Sequence, residues 1–252
     1  MSLLPASSCA MRNVVVTGGS RGLGLGIVRR LADAGYAPIA VARKEGTELA
    51  KIMADGGNAE AVRFAPFDLG DVDGIPRFVA GLRKQFGPLY GLVNNAAVGT
   101  DGALSLMHTS KIEQTVRLNT LSPIVFTKYV VRSMMADGGG RIINVTSIVA
   151  STGYSGLSVY AATKASMVGF TRSLAREVGR MGVNVNAVAP GFLDTEMTEG
   201  LKDETRERIV RRSALKRLPA VDDIADAVEF LLGDKAKSIT GTVLTVDAGS
   251  TA

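Results

Sequence analysis

Seven short apolar runs rich in β-branched residues recur along this chain, each followed by a stretch of helical periodicity, and that alternation limits the fold more than any other feature. The runs lie at 14–16, 39–41, 62–67, 89–93, 141–145, 183–188 and 242–246. Between the first two, Leu23, Ile27, Val28 and Leu31 recur at helical spacing; further helices are expected at 48–54, 78–86, up to 135, at 159–178, and as a pair between 196 and 232. Continuous apolar strands separated by helices predict a parallel sheet covered on both faces, with right-handed crossovers and ligands at the carboxyl ends of the strands. The expected class is therefore α/β: a single-domain, Rossmann-like, doubly wound fold with a seven-stranded parallel sheet, spanning 11–252. Ser110 and Glu113 form a capping-box pattern that predicts a helix start there.

With 46% hydrophobic residues in 252, the chain can bury a full core, and no linker, repeat or low-complexity segment divides it. Residues 1–10 lack a basic leader and a long apolar stretch, so they read as a disordered tail rather than a signal peptide. Cys9 is the single cysteine and His108 the single histidine, which excludes a common zinc site and a His-based nucleophilic triad. No metal is expected, no apolar run is long enough for a membrane span, and a reducing cytoplasm fits best. The net charge of +5 raises nucleic acid as a partner, but the excess sits mainly in Arg206, Arg208, Arg211, Arg212, Lys216 and Arg217. Without interleaved aromatics or a recognition-helix context, that segment reads as a solvated helix face, with attraction of an anionic substrate as the functional alternative.

Thr17-Gly18-Gly19-Ser20-Arg21-Gly22-Leu23-Gly24 joins the first strand to the first helix, where backbone N–H groups and the helix dipole favour a pyrophosphate. Glycines alone also serve ordinary turns, so position gives the motif its weight. Dinucleotide sites for NAD place an acidic residue at the end of the second strand; here Ala42 stands there, followed by Arg43 and Lys44. Together with Arg21 these cations suit a 2′-phosphate, so NADP(H) is the expected cofactor.

Tyr160 and Lys164 lie one turn apart on the same face of a predicted helix and can act on one ligand. A free phenol has a pKa near ~10, and lowering it by about three units needs on the order of 4 kcal/mol of phenolate stabilisation, much of which a nearby ammonium can supply. Singly, each candidate has a bland role: Tyr160 a core aromatic, Lys164 a surface residue, Ser147 a cap, Asn119 a polar group at a helix bend.

In combination, the Gly-rich turn, Asn94-Asn95-Ala96, Leu118-Asn119-Thr120, Ser147 after the fifth strand, Tyr160-Ala161-Ala162-Thr163-Lys164 and Pro190-Gly191 resemble the short-chain dehydrogenase/reductase family from about Met11 to the C-terminus. The resemblance implies that Tyr160 is the acid in reduction and the base in oxidation, that Lys164 also binds the nicotinamide ribose, that Ser147 hydrogen-bonds the substrate oxygen, and that Asn119 holds a water between Lys164 and solvent. It implies a cofactor contact set of Gly18, Ser20, Arg21, Leu23, Arg43, Asp68 and Leu69 at the adenine, Asn95 and Ala96 at the ribose, Tyr160 and Lys164, and Pro190, Gly191, Leu193 and Thr195 at the nicotinamide. Asn94 is expected to tie loops to the sheet, and Ala97 replaces the family's usual glycine.

Ser20-Arg21-Gly22, Ala42-Arg43 and the Pro190-Gly191-Phe192-Leu193 segment look most like the 3-oxoacyl-acyl-carrier-protein reductases. That likeness implies a small-molecule or acyl-thioester substrate, with an acyl carrier protein as a candidate partner at Arg172, Arg176 and Arg180; the non-basic stretch Ala136-Asp137-Gly138-Gly139-Gly140 departs from the pattern. Two other readings stand beside it: a dehydrogenase of another alcohol, sugar or ketone, and a non-catalytic cofactor-sensing module. Family precedent also implies a homotetramer and a substrate-selecting lid at about 196–213.

Overall fold

The computed structural model describes residues 11–55, 61–193 and 203–252. Its strands are β1 (Asn13–Thr17), β2 (Ala37–Ala42), β3 (Arg63–Pro66), β4 (Leu89–Asn94), β5 (Gly140–Val145), β6 (Val183–Pro190) and β7 (Val243–Val246). The main helices are α1 (Gly22–Asp33), α2 (Thr47–Ala54), α3 (Ile75–Phe86), α4 (Thr109–Val116), α5 (Ser122–Ala136), the short α6 (Val149–Thr152), α7 (Ser158–Val178), α8 (Asp203–Arg212) and α9 (Val221–Leu232). The seven strands form one parallel sheet in the order β3-β2-β1-β4-β5-β6-β7. The chain winds outward from β1 to β3, then returns beside β1 with β4, so the strand order reverses between β1 and β4 and a crevice opens at their carboxyl ends.

Alternation along the strands divides the core into two layers. Val14 and Val16 pack with Ile27, Val28 and Leu31 of α1 and with Ile224 and Val228 of α9. Val15 points the other way, onto Val79 and Leu82 of α3, Phe126 and Val130 of α5, and Leu174 and Val178 of α7. Because both faces are covered, the strands need no polar positions, which is why they read as continuous apolar runs. Fully buried side chains such as Ile27, Ile39, Leu92 and Phe126 contribute roughly 1.5–3 kcal/mol each in apolar burial.

Some expected boundaries shift. Helix α3 begins earlier than position 78, because Pro76 in its first turn has no N–H to leave unpaired. The Ser110–Glu113 capping box is not made: α4 starts at Thr109 with His108 at the N-cap, so Ser110 already sits inside the first turn and cannot cap it. Helices α4 and α5 run into one another through a π-helical turn, Arg117–Leu121, which carries Asn119 and which the sequence pattern does not show. Residues 1–10, Thr195 and the 196–202 part of the expected lid lie outside the described residues. No helix among the described residues is long and apolar enough to cross a membrane.

Candidate active site

The Gly-rich turn is tied to the neighbouring strand by Gly18 N donating to Val41 O at 2.8 Å, which sets Ala42, Arg43 and Lys44 beside Ser20 and Arg21. Arg21 is the N-cap of α1 in extended conformation and makes no side-chain cap, so the first-turn N–H groups of α1 are left for an anion. Close approach explains Gly24: a Cβ there would lie 2.1 Å from Gly18 O, so any side chain would push α1 off the turn. Leu23 is half-buried against the α1 side of the core. Arg43 and Lys44 are exposed and pair with no carboxylate among the described residues. This uncapped helix start, with no Cβ to fill the turn and cations at the end of β2, fits a dinucleotide carrying a 2′-phosphate.

Thr17 connects that turn to β4. Its Oγ1 accepts from Asn95 N (3.0 Å) and Ala96 N (3.1 Å), while Asn95 Nδ2 donates to Thr17 O at 3.0 Å. Thr17, Leu69, Asn94, Ala96 and Leu118 border one cavity, which brings Leu69 next to the β1–β4 crevice. Asp68 is exposed, and its Oδ1 accepts from Gly70 N at 2.9 Å, so one oxygen shapes the turn after β3. On the far side, Pro190 is buried at the end of β6, and Gly191 N donates to Val246 O at 2.9 Å. Leu193 is buried, and Phe192 packs edge-on against Tyr154 with ring centroids 5.5 Å apart.

Ser147 follows β5 and is half-buried, with Oγ 3.4 Å from Val149 N, too long to commit the hydroxyl as a cap. Lys164 is buried, and its Nζ donates to Val145 O at 2.9 Å, two residues before Ser147. That ammonium lies 5.6 Å from the centroid of the Tyr160 ring. Burial pushes the Tyr160 phenol up to about 12 and brings Lys164 down to about 8, each because the charged form loses solvation. In this geometry, then, Tyr160 is held as a neutral phenol, and the expected lowering by Lys164 does not offset burial.

Asn119 is buried in the π-turn. Its Oδ1 accepts from Val98 N (2.9 Å), and its Nδ2 donates to Val98 O (3.0 Å) and to Thr163 Oγ1 (3.2 Å). Both amide protons are taken, so a water at this residue must donate to its remaining acceptor lone pairs. Thr163 Oγ1 in turn donates to Tyr160 O at 2.7 Å, which links Asn119 to the helix that bears Tyr160 and Lys164. A second polar chain fixes the same helix: Asn94 Nδ2 donates to Thr127 Oγ1 (2.9 Å) and Asn144 Oδ1 (2.8 Å), and Asn144 Nδ2 donates to Thr171 Oγ1 (2.8 Å). Asn94 is the tie expected from the sequence, and Thr17 opens the Gly-rich motif, but its hydroxyl's role as a tie to β4 is not legible there; Asn144 and Thr171 carry no local signal beyond being polar residues among apolar ones.

A family profile described as enoyl-(acyl carrier protein) reductase matches residues 18–251. The chain belongs to the short-chain dehydrogenase/reductase family. It is accordingly an oxidoreductase, and the curated relatives it matches include 3-oxoacyl-[acyl-carrier-protein] reductases of this family. That of Escherichia coli (strain K12) is 37% identical, with 93% of this chain and 95% of the relative covered. That of Haemophilus influenzae is 39% identical, covering 93% and 96%. Among solved structures of short-chain dehydrogenase/reductases, a gluconate 5-dehydrogenase from Burkholderia cenocepacia J2315, in complex with NADP and tartrate, superposes with a TM-score of 0.90 at 28% identity over 95% of each chain.

Proposed function

We propose that the chain is an NADPH-dependent reductase of 3-oxoacyl thioesters, acting in the cytoplasm as a homotetramer with one domain over 11–252. The observation that carries the mechanism is that the Nζ of buried Lys164 lies 5.6 Å from the centroid of the Tyr160 ring on one face of α7 and donates to Val145 O, two residues before Ser147. Gly18, Ser20, Arg21, Leu23, Arg43, Asp68, Leu69 and Asn95 hold the nucleotide half, and Pro190, Gly191, Leu193 and Thr195 the nicotinamide; Thr195 lies outside the described residues. When bound, the reduced nicotinamide supplies hydride to the substrate carbonyl carbon. Tyr160 Oη donates its proton to the carbonyl oxygen as that oxygen gains charge, and Ser147 Oγ donates a hydrogen bond to the same oxygen. Lys164 orients the ribose and, as an ammonium, steadies the phenolate left behind. At neutral pH the phenol carries the proton that the reduction needs.

The similarity to 3-oxoacyl-[acyl-carrier-protein] reductases supports the thioester, and the exposed Arg172 and Arg176 on α7, with Arg180 just beyond it, offer an acidic carrier protein a basic face. A second reading, reduction of a keto-sugar acid, rests on the likeness to the gluconate 5-dehydrogenase. The test is to follow nicotinamide oxidation with a 3-oxoacyl thioester using NADPH and NADH in parallel. Turnover with NADPH that falls by about 10²–10⁴-fold in Tyr160→Phe is expected. An inert thioester alongside an active keto-sugar acid supports the second reading; no binding of either cofactor overturns both.

A further inference from the structure

Asp247 directly follows β7 and is buried, and four hydrogen bonds converge on its carboxylate. Oδ1 accepts from Gly249 N at 2.8 Å; Oδ2 accepts from Ser250 Oγ (3.1 Å), Thr251 N (2.9 Å) and Thr251 Oγ1 (2.7 Å). Burial alone would raise this carboxyl, but the hydrogen bonds from Thr251, Gly249 and Ser250 outweigh it and hold the group below its ordinary value, so it is ionised at neutral pH. The turn it organises meets the two chain segments that flank 194–202. On one side Gly191 N donates to Val246 O, and Gly191 lies so close that a Cβ would sit 2.8 Å from Asp247 Cα. On the other, Ala214 N donates to Gly249 O (3.1 Å) and Leu215 N to Ala248 O (3.0 Å), immediately after α8.

Backbone strain concentrates at the same contact. Lys216 (φ 53°) and Ala248 (φ 56°) are the non-glycine residues with positive φ among the described residues; Ala248 accepts one of the two hydrogen bonds, and Lys216 follows Leu215, its donor. Strain of this kind persists where surrounding contacts over-determine it. Ser213, fully buried, locks the downstream segment: its Oγ donates to Arg217 O at 2.9 Å and accepts from Arg217 N at 3.2 Å. The upstream segment packs, through Phe192, on Tyr154 in the loop between α6 and α7.

We propose that Asp247 is a positioning residue for the substrate: its carboxylate sets the left-handed turn at 248–249 on which the segment following α8 is seated at the carboxyl ends of β6 and β7. The inference rests on the thioester-reductase reading for its kinetic measurement but not for its structural one. In Asp247→Ala, KM for the thioester is expected to rise by about tenfold while the NADPH Kd stays within about twofold, and amide exchange at Ala214 and Leu215 to quicken by about tenfold. Asp247→Asn, which keeps one acceptor oxygen, should fall between wild type and Asp247→Ala on both readouts. Gly249→Ala reaches the same seat by another route, since φ is +75° and a Cβ would meet Ala214 Cβ at 2.7 Å; it should reproduce the split with the carboxylate intact. Should Asp247→Ala not fold, the same split is required of the other two variants. Wild-type exchange at Ala214 and Leu215 in these variants, or thioester KM and NADPH Kd rising together, overturns the proposal. Wild-type protein inert toward the thioester overturns the function reading instead, and the exchange measurement still decides the role of Asp247.

Discussion

At Tyr160 and Lys164 a single cause moves two groups in opposite senses: burial favours the neutral phenol, up to about 12, and the neutral amine, down to about 8. The ammonium that steadies the phenolate is therefore present below pH 8 and lost above it, while the phenol stays protonated throughout. For the reduction, kcat/KM is expected to be level up to about pH 8 and to fall by about tenfold per unit beyond. A pH–rate profile that stays level to pH 9.5 would remove Lys164 from that role. Cofactor choice is also decided by single residues. Arg43 is exposed beside the uncapped start of α1, and a charge-assisted pair with a phosphate contributes about 1.5–3 kcal/mol. Arg43→Ala should weaken NADPH by about 10–100-fold in fluorescence titration and leave NADH within about twofold.

Helix α7 is placed by β5 through two adjacent residues. Val145 O receives Lys164 Nζ, and Asn144 Nδ2 reaches Thr171 Oγ1, two turns further along the same helix. Asn144 also receives Asn94 from β4, so one fully buried amide sets the helix that bears Tyr160 against β4 and β5, the strands that lead into Asn95 and Ser147. Asn144→Val leaves an Asn94 amide proton without its acceptor in the core and is expected to cost about 2–4 kcal/mol, measured by urea denaturation, with kcat reduced more than cofactor affinity. The π-turn between α4 and α5 does a similar task for Asn119, turning its amide onto Val98 and Thr163. Neither arrangement was legible beforehand: residues 144 and 171 are neighbours only because β5 and α7 pack, and helical periodicity is blind to one inserted π residue.

On the scale of the whole molecule, exposed apolar residues stand at the two ends of the π-turn, Val116 just before it at 43% and Leu121 as its last residue at 42% accessible, and the proposed tetramer gives these positions something to cover. Light scattering should give four chain masses for the wild type and a smaller species for Leu121→Glu; a wild-type monomer refutes the assembly. Basic side chains of the 206–217 segment are exposed, in keeping with the solvated-face reading, and Arg217 pairs with Asp223 at 2.7 Å.

Much of the scaffold is written locally. Burial on both sheet faces forces apolar strands, the 3.6-residue repeat sets helix faces, and the need for Tyr160 and Lys164 to share a face fixes their spacing, so fold class and the candidate reacting pair could be read directly from the sequence. Strand order, the seat of α7 on Asn144 and Val145, the direction of the Tyr160 shift and the role of Asp247 depend on contacts between distant residues and on loss of solvent. Those quantities exist only once the chain has packed, because desolvation and hydrogen-bond geometry belong to neighbours in space rather than to neighbours in sequence.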